Sequence, residues 1–216
     1  MRHILSTQAA ALPRDLKPRP GCVQVCIARH GETDWNAAGI LQGWMDTRLN
    51  ARGRDQALEL AAALATADFA RVYSSPLSRA WESAEIIAEK LKLPAPVALE
   101  GVKERGFGAI QGIPKAELAE LNPQLLQQIL TRNPAASFEQ GETMDEFADR
   151  VLAATLSIAR TSPEQRVLLI THGWVLDVIT REINQVPRHT ILNHKPKNSE
   201  CLWLEASEQS IRHLAA

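Results

Sequence analysis

The sequence predicts an α/β domain on a mostly parallel sheet, interrupted by one long excursion. Two observations carry the sheet. Short apolar runs rich in β-branched residues end abruptly in polar residues, as buried strands do. Between them lie segments whose apolar residues recur at helical spacing, and such alternation builds a parallel sheet. A third observation carries the excursion: the stretch 100–141 holds Pro114, Pro123 and Pro134 and supports no long element. Loops of that size inside a compact domain are usually lids or binding elements.

Residues 1–20, broken by Pro13, Pro18 and Pro20, read as an arm leading into a single domain over 21–216. The arm lacks the organised apolar segment of a secretory signal. A buried strand is expected over 22–28 (CVQVCIA), ending at Arg29-His30-Gly31. A helix follows over 51–65, with Leu58, Ala61, Leu64 and Ala65 on its inner face. The next strand, 70–74, runs into Ser74-Ser75-Pro76. The helix over 77–91 places Leu77, Ala80, Trp81, Ala84, Ile87, Ala88 and Leu91 at helical spacing before Pro94 and Pro96 stop it. A lid-like insertion spans about 105–142, with short helical patterns over 116–121 and 124–130. From 144 to 158 a strongly amphipathic helix aligns Met144, Phe147, Ala148, Val151, Thr155 and Ile158. The run 167–171 (VLLIT) is continuously apolar, as in a strand covered on both faces, and ends at His172-Gly173. A helix over 174–183 and a last strand over 201–204 complete the order.

Composition bounds the partners. The chain has 216 residues, 45% hydrophobic and 23% charged, with a formal net charge of −1. No overall basic field gathers nucleic acid, and no run approaches the roughly 20 apolar residues that span a bilayer. Cys22 and Cys26 lie on one strand, roughly 13 Å apart. A disulfide needs Cα atoms within about 7 Å, so the three cysteines read as reduced thiols and a cytoplasmic location is expected. His189, His194 and Cys201 match no compact zinc pattern; neither a metal nor another cofactor is expected. No feature decides between a monomer and a homodimer.

Three of the expected strands end in reactive residues. Arg29 and His30 close the first, Ser74-Ser75-Pro76 closes the second with Arg79 one turn on, and His172-Gly173 closes the third. In open α/β sheets ligands bind beyond the carboxyl ends of the strands. Two arginines and two histidines would converge there, beside helix N-termini that favour anions. Arginine offers a planar fork for phosphoryl oxygens. Histidine can act as nucleophile through one ring nitrogen while a backbone group holds the other. Together they describe a phosphoryl-transfer site that needs no metal.

RHGETDWN at 29–36 resembles the signature of the phosphoglycerate mutase-like branch of the histidine phosphatase superfamily. The resemblance runs from about Val23 to about Leu214. It includes Leu41-Gln42-Gly43, the block Ser74 to Ala80, Glu104 with Phe107-Gly108 and Gln111-Gly112, and Thr171-His172-Gly173. It implies a three-layer α/β/α sandwich and a metal-independent phosphatase acting on a small phosphorylated metabolite. By the same resemblance His30 is the nucleophile, and Arg29, Arg79 and His172 hold the phosphoryl group with Gly43 and Gly173. Asn36 and Gln42 add polar contacts, and Glu104 is the general acid and then the base. Two positions depart from the family pattern: Trp174, where a glycine is common, and Ile110, where an aromatic is frequent.

Simpler readings stand beside these. Glu104 lies in a charged loop with Glu100, Lys103 and Arg105, where a carboxylate can merely be solvated. Glu32 is expected to cap the helix that follows it. Trp35, Trp44 and Trp174 line the mouth of the site or simply pack. The lid leucines and Ile129 mostly pack it onto the domain. Family mutases carry a longer insertion with basic residues for a second phosphate. Here 106–141 has only Lys115 and Arg132 as cations, which favours hydrolysis. The alternatives are a phosphoglycerate mutase, a phosphoprotein phosphatase, and a family member that binds phospho-ligands or proteins without turnover.

Overall fold

A computed structural model describes residues 17–192 and 201–214. The expected arm up to residue 16, and His194, lie outside them. The sheet has six strands: β1 (Val23–Arg29), β2 (Arg71–Ser74), β3 (Val97–Ala98), β4 (Arg166–Thr171), β5 (Cys201–Ala206) and β6 (Ile211–His213). Their order is β3-β2-β4-β1-β5-β6. The pairs β1/β4, β2/β4 and β2/β3 are parallel, while β5 runs antiparallel to β1 and β6 to β5. The helices are α1 (Asp34–Ala37), α2 (Ala51–Ala63), α3 (Ser78–Leu91), α4 (Lys115–Leu121), α5 (Pro123–Leu130), α6 (Met144–Thr161) and α7 (Gly173–Ile183).

Strand alternation divides the core. On β4, Val167 and Leu169 join one apolar cluster, and Leu168 and Ile170 join the other. The first cluster takes Phe147, Val151 and Ile158 from α6 and Val175 and Ile179 from α7. The second takes Ala57, Leu60 and Ala61 from α2 and Ala80, Ala84 and Ile87 from α3. A sheet with helices on both faces is the three-layer α/β/α sandwich expected. Burying each large aliphatic or aromatic side chain contributes about 1.5–3 kcal/mol. The predicted inner face of α6 is buried at every named position. Thr143 and Glu146 form a capping box that fixes where this helix starts.

Several expectations need correction. On α2, Leu58 is 44% exposed and Ala65 is exposed beyond the helix, while Ala57, Leu60, Ala61 and Leu64 are buried. The true stripe follows i, i+3, i+4, i+7 from Ala57; choosing the larger Leu58 rotated the face by one position. On α3, Trp81 and Leu91 are only half-buried. The β3 and β6 strands were missed because two or three residues carry no readable period. Glu32 does not cap α1: Thr33 does, in a capping box with Asn36, and the Glu32 carboxylate accepts from Asn50 Nδ2 (2.9 Å). In the excursion, Leu118 and Ile129 pack into the core, but Leu121 is 66% exposed. No helix among the described residues is long and apolar enough to cross a membrane.

Candidate active site

Parallel pairing brings three carboxyl ends level. Arg29 pairs with Thr171 and Ser74 with Ile170. The ladder continues one residue further: His30 N–H donates to Thr171 O (2.9 Å) and Ser75 N–H to Ile170 O (3.0 Å). A cavity of about 250 Å³ opens at this edge. Arg29, His30, Asn36, Gln42, Gly43, Arg79, Glu104 and Gly173 all line it. His172 does not; it is fully buried against His30, with ring centroids 5.1 Å apart.

The chemistry of His30 is set by its neighbour. Its Nδ1 lies 2.6 Å from Gly31 O. A carbonyl only accepts, so Nδ1 carries the proton and Nε2 carries the lone pair. Burial first, and then the charges of Arg79 and Arg29, hold the ring well below the ordinary histidine pKa. The imidazole is therefore neutral and ready to act as a nucleophile.

Arg79 is almost fully buried at the start of α3. Its Nη2 donates to Gly43 O (2.8 Å) and Nη1 to Met45 O (3.0 Å). Desolvation lowers its pKa to about 10, partly opposed by Glu104, so it stays cationic at neutral pH. Gly43 adopts φ +53, and an added Cβ there would lie 2.1 Å from Gln111 Oε1. Arg79 Nε and His172 Nδ1 are buried with no hydrogen-bond partner among the described residues. Arg79 lines the cavity, and an orphan donor at its edge calls for a ligand. His172 Nε2 meets Ser75 Oγ at 2.8 Å, and Ser75 Oγ already accepts from Leu77 N–H (3.3 Å). The Ser75 hydroxyl has one proton to give, and where it gives it to Nε2 the ring proton sits on Nδ1 and can donate to an anion. Burial, followed by Arg79, His30 and Arg29, lowers the pKa of His172 strongly.

Glu104 is buried rather than solvated in its charged loop. Its Oε1 accepts from Arg105 N–H (3.0 Å) and from Trp174 N–H (3.3 Å) in the first turn of α7. Asn36 Oδ1 accepts from Thr33 N–H (3.2 Å) and Gln42 Oε1 from Thr47 Oγ1 (2.6 Å). Each amide oxygen thus holds one internal donor, and the NH₂ group is what each side chain can donate to an anion.

The excursion supplies the opposite wall. Lys115, Ile129, Leu130 and Arg132 line the cavity together with Trp174. Arg132 donates from Nη1 to Gly173 O (3.0 Å) and Asp177 Oδ1 (2.8 Å), tying the excursion to α7. Desolvation raises the Asp177 pKa to about 6, against the pull of Arg132 and Arg181. Sequence reasoning missed Asp177 and Arg150. Asp177 carried a signal: a lone carboxylate in an apolar helix needs a buried partner. Trp44 belongs to neither expected class: it is not on the cavity wall, and its indole is 43% exposed.

Comparisons with known proteins show the family and the fold. The family model of the histidine phosphatase superfamily (branch 1) matches residues 25–215. A metal-independent phosphoserine phosphatase of Arabidopsis thaliana is 33% identical, over 94% of this chain and 87% of that protein. A probable phosphoglycerate mutase GpmB of Proteus mirabilis (strain HI4320) is 32% identical, over 77% of each. Among solved structures, Bacillus stearothermophilus YhfR superposes with a TM-score of 0.81 at 26% identity, covering 90% of this chain and 96% of that one.

Proposed function

The chain belongs to branch 1 of the histidine phosphatase superfamily, and from that premise we propose that it hydrolyses small phosphomonoesters through a phosphohistidine on His30. The observation that carries this reading is the Nδ1–Gly31 O contact, which leaves the Nε2 lone pair of a neutral, buried imidazole at the cavity of Arg79 and Glu104.

In the first step Nε2 attacks phosphorus and the bond to the ester oxygen breaks. Protonated Glu104 delivers its proton to that oxygen, and the alcohol departs. In the second step Glu104 takes a proton from water as the water oxygen bonds to phosphorus. The P–Nε2 bond breaks, the electron pair returns to the ring, and phosphate leaves. Glu104 ends protonated, as it began. Arg29, Arg79 and His172 Nδ1–H stabilise the charge on the transferring group in a site largely shielded from water. The segment 105–142 acts as a lid over this centre.

The substrate is a small ester whose leaving group meets Lys115, Arg132, Ile129 and Leu130. Lys115 and Arg132 are the two cations of that wall, and they face a second anionic group on the substrate. A carboxylate-bearing ester such as phosphoserine fits that arrangement, in line with the name of the Arabidopsis relative. Mutase activity is the second reading, favoured by the GpmB relative.

Purified protein assayed against a panel of phosphomonoesters tests the proposal. The panel holds phosphoserine, and 3-phosphoglycerate with and without a bisphosphoglycerate primer. Phosphate release with an acid-labile phosphoenzyme that His30→Ala cannot form is the expected result. Primer-dependent interconversion of phosphoglycerates would establish a mutase instead. Normal turnover by His30→Ala would overturn the mechanism.

A further inference from the structure

Arg150 projects from α6 towards the loop that carries Glu104, and every donor it has is used. Its Nη1 donates to Gly101 O (2.9 Å) and Lys103 O (2.9 Å). Nη2 donates to Glu104 O (2.8 Å) and Glu142 Oε2 (2.7 Å), and Nε donates to Glu142 Oε1. A guanidinium has five N–H donors in a rigid fork, so none is left for a ligand. The fork instead grips three backbone carbonyls in a run of four residues that ends at Glu104. Glu142 returns to the same loop, accepting from Gly106 N–H at Oε2 (2.7 Å). The Glu104 carbonyl also accepts from Trp44 Nε1 (2.7 Å). Trp44 in turn stands between Gly43 and Met45, whose carbonyls hold Arg79.

We propose that Arg150 is a positioning residue for proton transfer by Glu104, acting with Trp44 through the backbone of the acid loop. This rests on the reading of Glu104 as general acid. With Oε1 committed to two backbone N–H groups, the placement of Oε2 relative to the leaving oxygen depends on where that backbone sits. Proton transfer needs heavy atoms within about 3 Å, so an ångström of drift costs the acid step while sparing the nucleophile. Lysine at 150 keeps the charge but cannot span five acceptors.

The test is a series of esters of rising leaving-group pKa, from p-nitrophenyl phosphate through phenyl phosphate to an alkyl phosphate. Glu104→Gln is expected to lower kcat/KM on the alkyl ester by about 10²-fold while largely sparing p-nitrophenyl phosphate. Arg150→Lys is expected to lower the alkyl ester about tenfold and p-nitrophenyl phosphate less than about twofold. The double variant should match Glu104→Gln alone within about twofold, since both act in one step. An equal loss on every ester, or full additivity in the double variant, would make Arg150 a structural residue and overturn the proposal. If Glu104→Gln steepens the leaving-group dependence and Arg150→Lys does not, the inference fails while the acid assignment stands. If Glu104→Gln itself leaves that dependence unchanged, both fall. Should Arg150→Lys not fold, Trp44→Phe removes one donor from a partly exposed indole. A steeper dependence in that variant supports the proposal, and an unchanged one overturns it.

Discussion

Replacing Gly53 with alanine sets two effects of opposite sign against each other. Gly53 lies in the first turn of α2, where its N–H donates to the Asn50 cap (2.8 Å). Alanine favours a helical site over glycine by about 1 kcal/mol. Yet the added Cβ would lie 2.1 Å from Glu32 O and 2.7 Å from Glu32 N, where ordinary contact begins at 3.4 Å. The two backbones must therefore separate by more than an ångström. Neither can yield cheaply. Glu32 O accepts from Asn50 N–H (3.0 Å), and Glu32 N–H donates to Gln56 Oε1 (2.8 Å). Overpacking costs about 1–3 kcal/mol, with backbone clashes at the upper end, so the net loss is about 2 kcal/mol. Glu32 is two residues from His30, and a displacement of about 1 Å near a reacting atom costs on the order of 10²-fold in kcat. Urea unfolding and turnover of p-nitrophenyl phosphate measure both effects. Gly21→Ala is the control: at φ +71 with nothing within 4 Å of its Cβ, it should lose about 1 kcal/mol and no activity. A Gly53→Ala protein as stable and as active as its parent would refute the reasoning.

Acid should destabilise the protein. His30 and His172 have folded pKa values well below normal, so the unfolded chain binds two more protons once pH falls through about 6.5. Asp177, raised to about 6, binds one more proton in the folded state below that pH and so offsets part of this loss. Asp177→Asn should steepen the loss of stability below about pH 6; urea titrations from about pH 6 to 4.5 that show no pH dependence would sink this account. Lys115→Gln should raise KM about tenfold for phosphoserine but not for p-nitrophenyl phosphate, and an equal change on both would remove Lys115 from substrate selection. Phe147→Ala, at a fully buried position in the α6 core, should cost about 3–5 kcal/mol with kcat retained in the folded fraction, read by unfolding and turnover. Chelators should leave phosphatase activity unchanged; inhibition reversed by an added divalent ion would contradict the mechanism.

Sequence alone determined the winding of the fold and the makers of the site edge. The reason is local: a buried strand declares itself by an unbroken apolar run, as in Val167 to Ile170, and an amphipathic helix by its period, as in α6. The strand-end residues Arg29, His30, Ser75 and His172 follow once the strands are placed, because a parallel sheet collects its carboxyl ends on one side. Tertiary structure decided what depends on distant backbone atoms. That Nδ1 of His30 is the protonated nitrogen follows from a carbonyl's position, which no spacing reveals. That Glu104 is held at the N-terminus of α7, and that Arg150 grips its loop from α6, joins residues 46 to 70 positions apart. Which face of α2 turns inward was settled by packing into the cluster it shares with α3 and the sheet, where Leu60 fits and the equally apolar Leu58 meets water. Local pattern specifies elements; the placement of a proton, a carboxylate oxygen or a guanidinium fork is a property of the assembled core.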